Sequence, residues 1–213
     1  MKIFAAAVLA SALSIGLLAA PAQANDLPIP SGAYEMDANH ASLVWSVSHI
    51  GLSDYTAKFI KFDIDLNLDV EDPTKSTVSA VIDPLSVVTN YPGDTDFDAK
   101  ISTSDRFFNS GAFPEVTFQS TRVEPTGDTT AKIYGDLTIL GVTQEVVLDS
   151  QLNGAFETHP FLKKPGVGFT ATTTIDRTAF GMDYLVSAVP NTDVPIVGAT
   201  VDVVIQAEFS LAE

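Results

Sequence analysis

The sequence predicts an all-β fold: antiparallel strands closed into a barrel of about eight, with a short helical insertion near residues 84–110. Three observations carry that reading. Apolar and polar residues alternate with period two through most of the chain. Each run has one apolar and one solvated face, which is the antiparallel pattern. Several runs reach about ten residues, or about 30 Å at ~3.3 Å per residue. Strands that long must stack as a sandwich or close on themselves, and the pattern alone allows both. Closure is preferred, because it removes the exposed edges and suits long strands without regular short loops.

The elements follow in order. Residues 1–24 precede the fold: Lys2, an almost unbroken apolar run, and the small-x-small box Ala22-Gln23-Ala24 form a secretory signal peptide. Residues 25–213 are read as one domain, exported and periplasmic where the cell has an outer membrane. The first strand covers residues 33–37. The second, Leu43-Val44-Trp45-Ser46-Val47-Ser48-His49, turns Leu43, Trp45, Val47 and His49 to one face. Ile60, Phe62, Ile64, Leu66 and Leu68 form the next alternating set, followed by Val78, Ala80 and Ile82. After residues 83–114 come Val116 and Phe118, then Ile133, Gly135, Leu137 and Ile139, then Val142, Val146, Leu148 and Leu152. Val167, Phe169, Ala171 and Ile175 precede a last strand running from Val201 to Leu211. Asp72-Pro73, Pro125-Thr126-Gly127-Asp128 and Leu140-Gly141 supply turn chemistry.

Residues 83–114 interrupt the alternation and hold Tyr91, Phe97, Phe107, Phe108 and Phe113. A helix is expected to start at residues 94–100, with aspartates early in it. A connection this long inside a compact domain is functional or carries small helices. Its aromatics cluster where an end plug or a pocket wall would stand.

Composition excludes several functions. Eleven Lys and Arg against 27 Asp and Glu give a net charge of -16, the reverse of what phosphate neutralisation needs, so no nucleic-acid partner is expected. The absence of cysteine removes disulfides, zinc–thiolate sites and thiol nucleophiles. No second apolar run reaches the ~18 residues of a membrane span, so the mature chain is not expected to be an integral membrane protein. Only three histidines are present, and no Gly-x-Ser-x-Gly elbow accompanies them. His40 and His49 lack helical metal-ligand spacing, and hydrogen bonding at strand ends is their simplest role. Asp63, Asp65, Asp69, Glu71 and Asp72 lie on a solvated face or in a turn, without the spacing of a calcium loop. No catalytic residue, metal or cofactor is assigned.

What remains is apolar lining without convergent polar chemistry. Leu43, Trp45, Val47 and His49, with Phe62, Ile64, Phe118, Leu137, Ile139 and Phe169, would face the interior, and Phe97, Phe107 and Phe108 would wall one end. A barrel lined this way describes a carrier of a lipophile.

Four segments also resemble a known family. They are Asp37-Ala38-Asn39-His40 with Ser48-His49-Ile50-Gly51; Arg106-Phe107-Phe108-Asn109 with Phe113-Pro114-Glu115-Val116-Thr117-Phe118-Gln119-Ser120-Thr121; Gly135-Asp136-Leu137-Thr138-Ile139-Leu140-Gly141-Val142-Thr143; and Arg177-Thr178-Ala179-Phe180-Gly181-Met182. In order and across the mature chain, they are similar to the motifs of the YceI family of exported polyisoprenoid-binding proteins. The resemblance implies a lipocalin-like barrel with a long apolar tunnel, adds Phe180 and Met182 to its lining, and implies a bound isoprenoid-type lipid. Two positions depart from the family pattern. Asp98-Ala99-Lys100-Ile101-Ser102-Thr103-Ser104 lacks the family's histidine and arginine, and Ala57 stands where glycine is usual. Lys100, Arg106 and Arg177 are then the candidates for meeting a polar head group, with Arg177 alternatively pinning a strand.

The expectation is therefore an exported, non-enzymatic carrier of a polyprenyl chain or isoprenoid quinone. At about 0.8 kcal/mol per buried CH₂, one five-carbon unit contributes roughly 4 kcal/mol gross, so chain length should outweigh head-group chemistry. The alternatives are an envelope enzyme using His40 or His49, and a structural or stress-related envelope protein with a packed barrel. A homodimer is left open.

Overall fold

The computed structural model describes residues 27–213; the leader expected at residues 1–24 lies outside the described residues. The strands are β1 (Gly32–Met36), β2 (Ser42–His49), β3 (Ser53–Phe59), β4 (Phe62–Leu68), β5 (Thr77–Ile82), β6 (Val87–Val88), β7 (Val116–Pro125), β8 (Thr130–Ile139), β9 (Val142–Phe156), β10 (Gly166–Asp176) and β11 (Val197–Leu211). Among the described residues one α-helix, α1 (Phe97–Thr103), lies between β6 and β7.

Eight strands close an antiparallel ring in the order β1, β4, β5, β7, β8, β9, β10, β11 and back to β1. The other three continue the wall. The C-terminal part of β11 pairs with β1, as in Tyr34 opposite Leu211, and its N-terminal part pairs with β2, as in Val203 opposite Trp45. So β1 and β2 lie end to end along one edge of β11, broken by the 3-10 turn Ala38–His40. β3 pairs with β2 and β4 with β1, and the chain bends between them at Ile60-Lys61. Backbone bonds from Ile60 N to Ser86 O (3.2 Å) and from Asp83 N to Lys61 O (3.0 Å) hold that bend. Ile60, expected on the inward face, is 58% exposed because it sits at the corner.

Period-two reading passes over β3, whose inward residues Tyr55, Ala57 and Phe59 alternate with Asp54, Thr56 and Lys58. It also understates β7. A register shift between Ser120 and Arg122 moves the inward set from Val116 and Phe118 to Val123 and Pro125. Ile50-Gly51, in the three-residue β2–β3 connection, and Leu140-Gly141, the two-residue β8–β9 turn, have positive φ at both positions (45° and 67°, 53° and 73°). That backbone twist matches antiparallel partners, and glycine takes the second position without steric cost.

The expected helix begins later than residue 94. Asp96 caps it, accepting from Ala99 N at 2.9 Å, and Ser104 N closes the last turn on Lys100 O. Phe97 and Ile101, one turn apart, face the interior. Thr89 N (2.8 Å) and Thr89 Oγ1 (2.5 Å) both donate to Asp98 Oδ1, tying the helix to the segment after β6. α1 packs on β6 and on the turn preceding it, where β6 has no second strand neighbour.

Candidate functional site

The interior is hollow. A cavity of about 660 Å³ runs from α1 and the β2–β3 end to the β7–β8 turn at the opposite end. Eight walls, each alternating inward apolar and outward polar side chains, leave an apolar lining with few polar groups. Leu43, Phe59, Ile82, Val116, Ile139 and Phe180 belong to one buried core cluster and also face the cavity. A second cluster, containing Tyr34, Ile64, Leu66, Leu68, Val167 and Phe209, packs the other half.

The structure brings together most of the residues the sequence selects. Leu43, Trp45, Val47 and His49 of β2 line the cavity, with Ile64 of β4, Phe118 of β7, Leu137 and Ile139 of β8, and Phe169 of β10. Phe97, Phe107, Phe108, Phe180 and Met182 line its α1 end. Phe62 does not line it. Its half-buried ring lies between the two core clusters, because the bend before β4 turns it into the wall packing. Tyr91 does reach the cavity, with its ring 5.0 Å from that of Phe97, whereas Phe113 packs over Gly141 instead.

The three cations separate. Lys100 and Arg106 are exposed and outside the lining, each set over an aromatic ring that belongs to it: Lys100 Nζ lies 5.6 Å from the Phe97 centroid, and Arg106 Cζ 4.7 Å from that of Tyr184. Arg177 lines the cavity, but its donors are occupied. Nε donates to Gly198 O (2.8 Å), Nη1 to Met182 O (2.6 Å), and Nη2 to Tyr184 O (3.0 Å) and Val197 O (3.3 Å). Arg177 pins the 181–198 segment to the barrel end, and burial lowers its pKa from the ordinary arginine value. Among the buried side-chain polar atoms of the described residues, the Trp45 indole N–H, in the lining, is the one without a hydrogen-bond acceptor.

His49, at the rim, is exposed. His40 is outside the lining; its Nδ1 lies 2.8 Å from Asp37 Oδ2. That hydrogen bond holds the Asp37 carboxyl below its ordinary pKa and lifts His40 above its own. Asp37, His40 and Glu208 place ligand-type atoms within 4.8 Å of one another on the surface. Asp37 is already engaged in structure, because its Oδ1 accepts from Asn39 N and caps the 3-10 turn.

Some lining escapes sequence reading. Ile101 was signalled by its i, i+4 spacing from Phe97. Tyr184 and Leu185 stand in an irregular segment with no period, and Val123 and Pro125 follow the β7 register shift.

Fold and site define a closed antiparallel barrel with one short helix, built around an apolar bore. The chain belongs to the YceI-like family, whose domain matches residues 34–209. A UPF0312 protein of Pseudomonas putida is 34% identical over 181 residues, covering 85% of this chain and 87% of that one. The crystal structure of Burkholderia cenocepacia BcnA superposes with a TM-score of 0.67 at 18% identity, covering 81% of this chain and 98% of that chain. A polyisoprenoid binding domain from Saccharophagus degradans, implicated in plant cell wall breakdown, gives a TM-score of 0.55 at 15% identity, covering 84% and 98%. The lipocalin-like barrel expected from the sequence is the fold observed.

Proposed function

We propose that this protein binds and carries a long isoprenoid-type lipid, a polyprenyl chain or an isoprenoid quinone, outside the cytoplasm and without transforming it. The single observation that carries the reading is the continuous apolar cavity of about 660 Å³. Its volume falls within the ~300–1,000 Å³ of small-molecule sites, but it is drawn out along the barrel. β9 and β11 each have 15 residues. Such strands measure about 50 Å, or about 38 Å along the axis at a tilt of ~40°. That shape fits a thin chain.

Affinity comes from burying methylene groups at about 0.8 kcal/mol each, offset by the ordering of the chain. A polar head would stay at the α1 end, where Lys100 and Arg106 stand outside the rings of Phe97 and Tyr184. Catalysis is not part of the proposal: no carboxylate pairs with His49 among the described residues, and His40 lies away from the bore. Export follows from the leader composition of residues 1–24.

Freshly purified protein is denatured and extracted with organic solvent, and the extract is read by mass spectrometry. An isoprenoid-type lipid near one per chain is expected. Recovery of none, together with no uptake of added polyprenol or quinone, would overturn the proposal.

A further inference from the structure

At the end of the barrel away from α1, β9 and β10 outrun their neighbour β8. The last β8–β9 pair on that side joins Thr130 to Gln151, while β9 continues to Phe156, opposite Gly166. The connection at the tip is built rather than slack. His159 N donates to Lys164 O (2.8 Å) and Lys163 N to His159 O (2.9 Å). Leu162 N and Phe161 N both donate to His159 Nδ1 (3.2 and 3.4 Å). The rings of Phe156 and Phe161 stand 6.1 and 6.0 Å from that of His159.

This turn holds apolar side chains in water: Phe161 is 85% exposed, Phe156 56% and Leu162 44%. Beside them stand Lys163 and Lys164, the only adjacent pair of basic residues in a chain with net charge -16. Neither lysine forms an ion pair among the described residues. Lys163 Nζ bonds only to Pro160 O, at 2.5 Å. Glu157 is the one carboxylate within the loop. Glu213 also stands near the tip, two residues past Leu211, whose N–H donates to Pro165 O (3.0 Å), but neither it nor Glu157 forms an ion pair with either lysine.

We propose that the β9–β10 tip docks the protein on an anionic phospholipid bilayer, with Phe161 and Leu162 entering the interface and Lys163 and Lys164 meeting phosphate head groups. Aromatic and leucine side chains flanked by lysine are the composition of interfacial anchors. Two lysines and two apolar groups make a weak, reversible anchor, as a shuttling protein requires. The tip lies at the end of the barrel where Thr129 and Thr130 line the bore, beyond their partners Gln151 and Leu152 on β9. None of Phe156, Phe161, Leu162, Lys163 and Lys164 lines the bore, so docking and lipid filling are read separately.

The chain lacking residues 1–24 is sedimented with vesicles of phosphatidylglycerol and phosphatidylethanolamine, and with phosphatidylcholine vesicles as the neutral control. Wild type should sediment with the anionic vesicles, much less with the neutral ones, and be released by salt. Each lysine charge contributes about fivefold in partition. Lys163→Asn with Lys164→Gln should therefore lose about twenty-fivefold, with asparagine suiting the φ of 60° at Lys163. Phe161→Ser with Leu162→Ser should abolish sedimentation, while Leu52→Ser, 81% exposed at the opposite end, should leave it unchanged. Wild type remaining in the supernatant, tip variants sedimenting like wild type, or an equal loss from Leu52→Ser would each overturn the proposal. So would tip variants that change oligomeric state while vesicle binding stays constant.

Discussion

The Phe118 ring lies against Gly135 on the facing strand so closely that a Cβ at Gly135 would stand 2.3 Å from Phe118 Cζ and 2.7 Å from the Gln119 carbonyl oxygen. The absent side chain makes room for the ring of Phe118, which lines the bore. Gly135→Ala is therefore expected to force the ring inward and strain a backbone contact that cannot yield. A loss of about 1–3 kcal/mol, typical of overpacking, should appear in denaturant melts. Unchanged stability would show that the ring has room elsewhere.

Arg177 fastens the 181–198 segment through four backbone carbonyls. Arg177→Lys keeps the charge but cannot serve that planar fan of acceptors. Both Arg177→Lys and Arg177→Ala should cost about 3 kcal/mol, as lost hydrogen bonds from a charged donor do, and raise amide exchange across residues 181–198. Full stability in the lysine variant would mean that charge, rather than geometry, matters there.

The Asp37–His40 pair predicts a pH window. His40 is raised above its ordinary 6.5, so its contribution is fully present below 6.5 and is lost as pH climbs through the folded-state value. Asp37 is lowered below its ordinary 3.8, so its contribution is fully present above 3.8 and is lost as pH falls through its folded value. The pair is complete between those limits. In an NMR titration His40 should titrate above 6.5, and Asp37→Asn should bring it back towards 6.5. A midpoint unmoved by that substitution would remove the pairing.

Much of the barrel is legible because inward residues repeat every second position in β2, β4, β8, β10 and β11. What is not legible arises where the backbone departs from that period. The bend at Ile60-Lys61 throws Ile60 outward and Phe62 into the wall. The shift after Ser120 changes the parity of β7. β3 hides because Ala57, small and flanked by polar residues, carries little hydrophobic signal although it is 3% exposed. The site was legible as a list of inward aromatics and aliphatics, while the fate of each cation was not. Nothing in the spacing of Arg177 shows that four carbonyls converge on it, or that Lys100 and Arg106 settle over rings outside the bore.

Ala171, on β10, contributes a small side chain to the lining. Ala171→Phe should narrow the bore and shift the lipid recovered from the protein towards shorter chains, read by mass spectrometry of extracts from the two forms. An identical chain-length distribution would place the lipid outside this cavity.

Trp45 is the chain's one tryptophan and lines the bore two residues inward of Val47, so its fluorescence reports on the interior directly. Delipidated protein titrated with an isoprenoid quinone should show saturable quenching that ends near one quinone per chain, because the quinone-bearing chain lies within contact of the indole. Quenching no greater than that of free tryptophan at the same quinone concentrations would contradict a bore that takes up isoprenoid lipid.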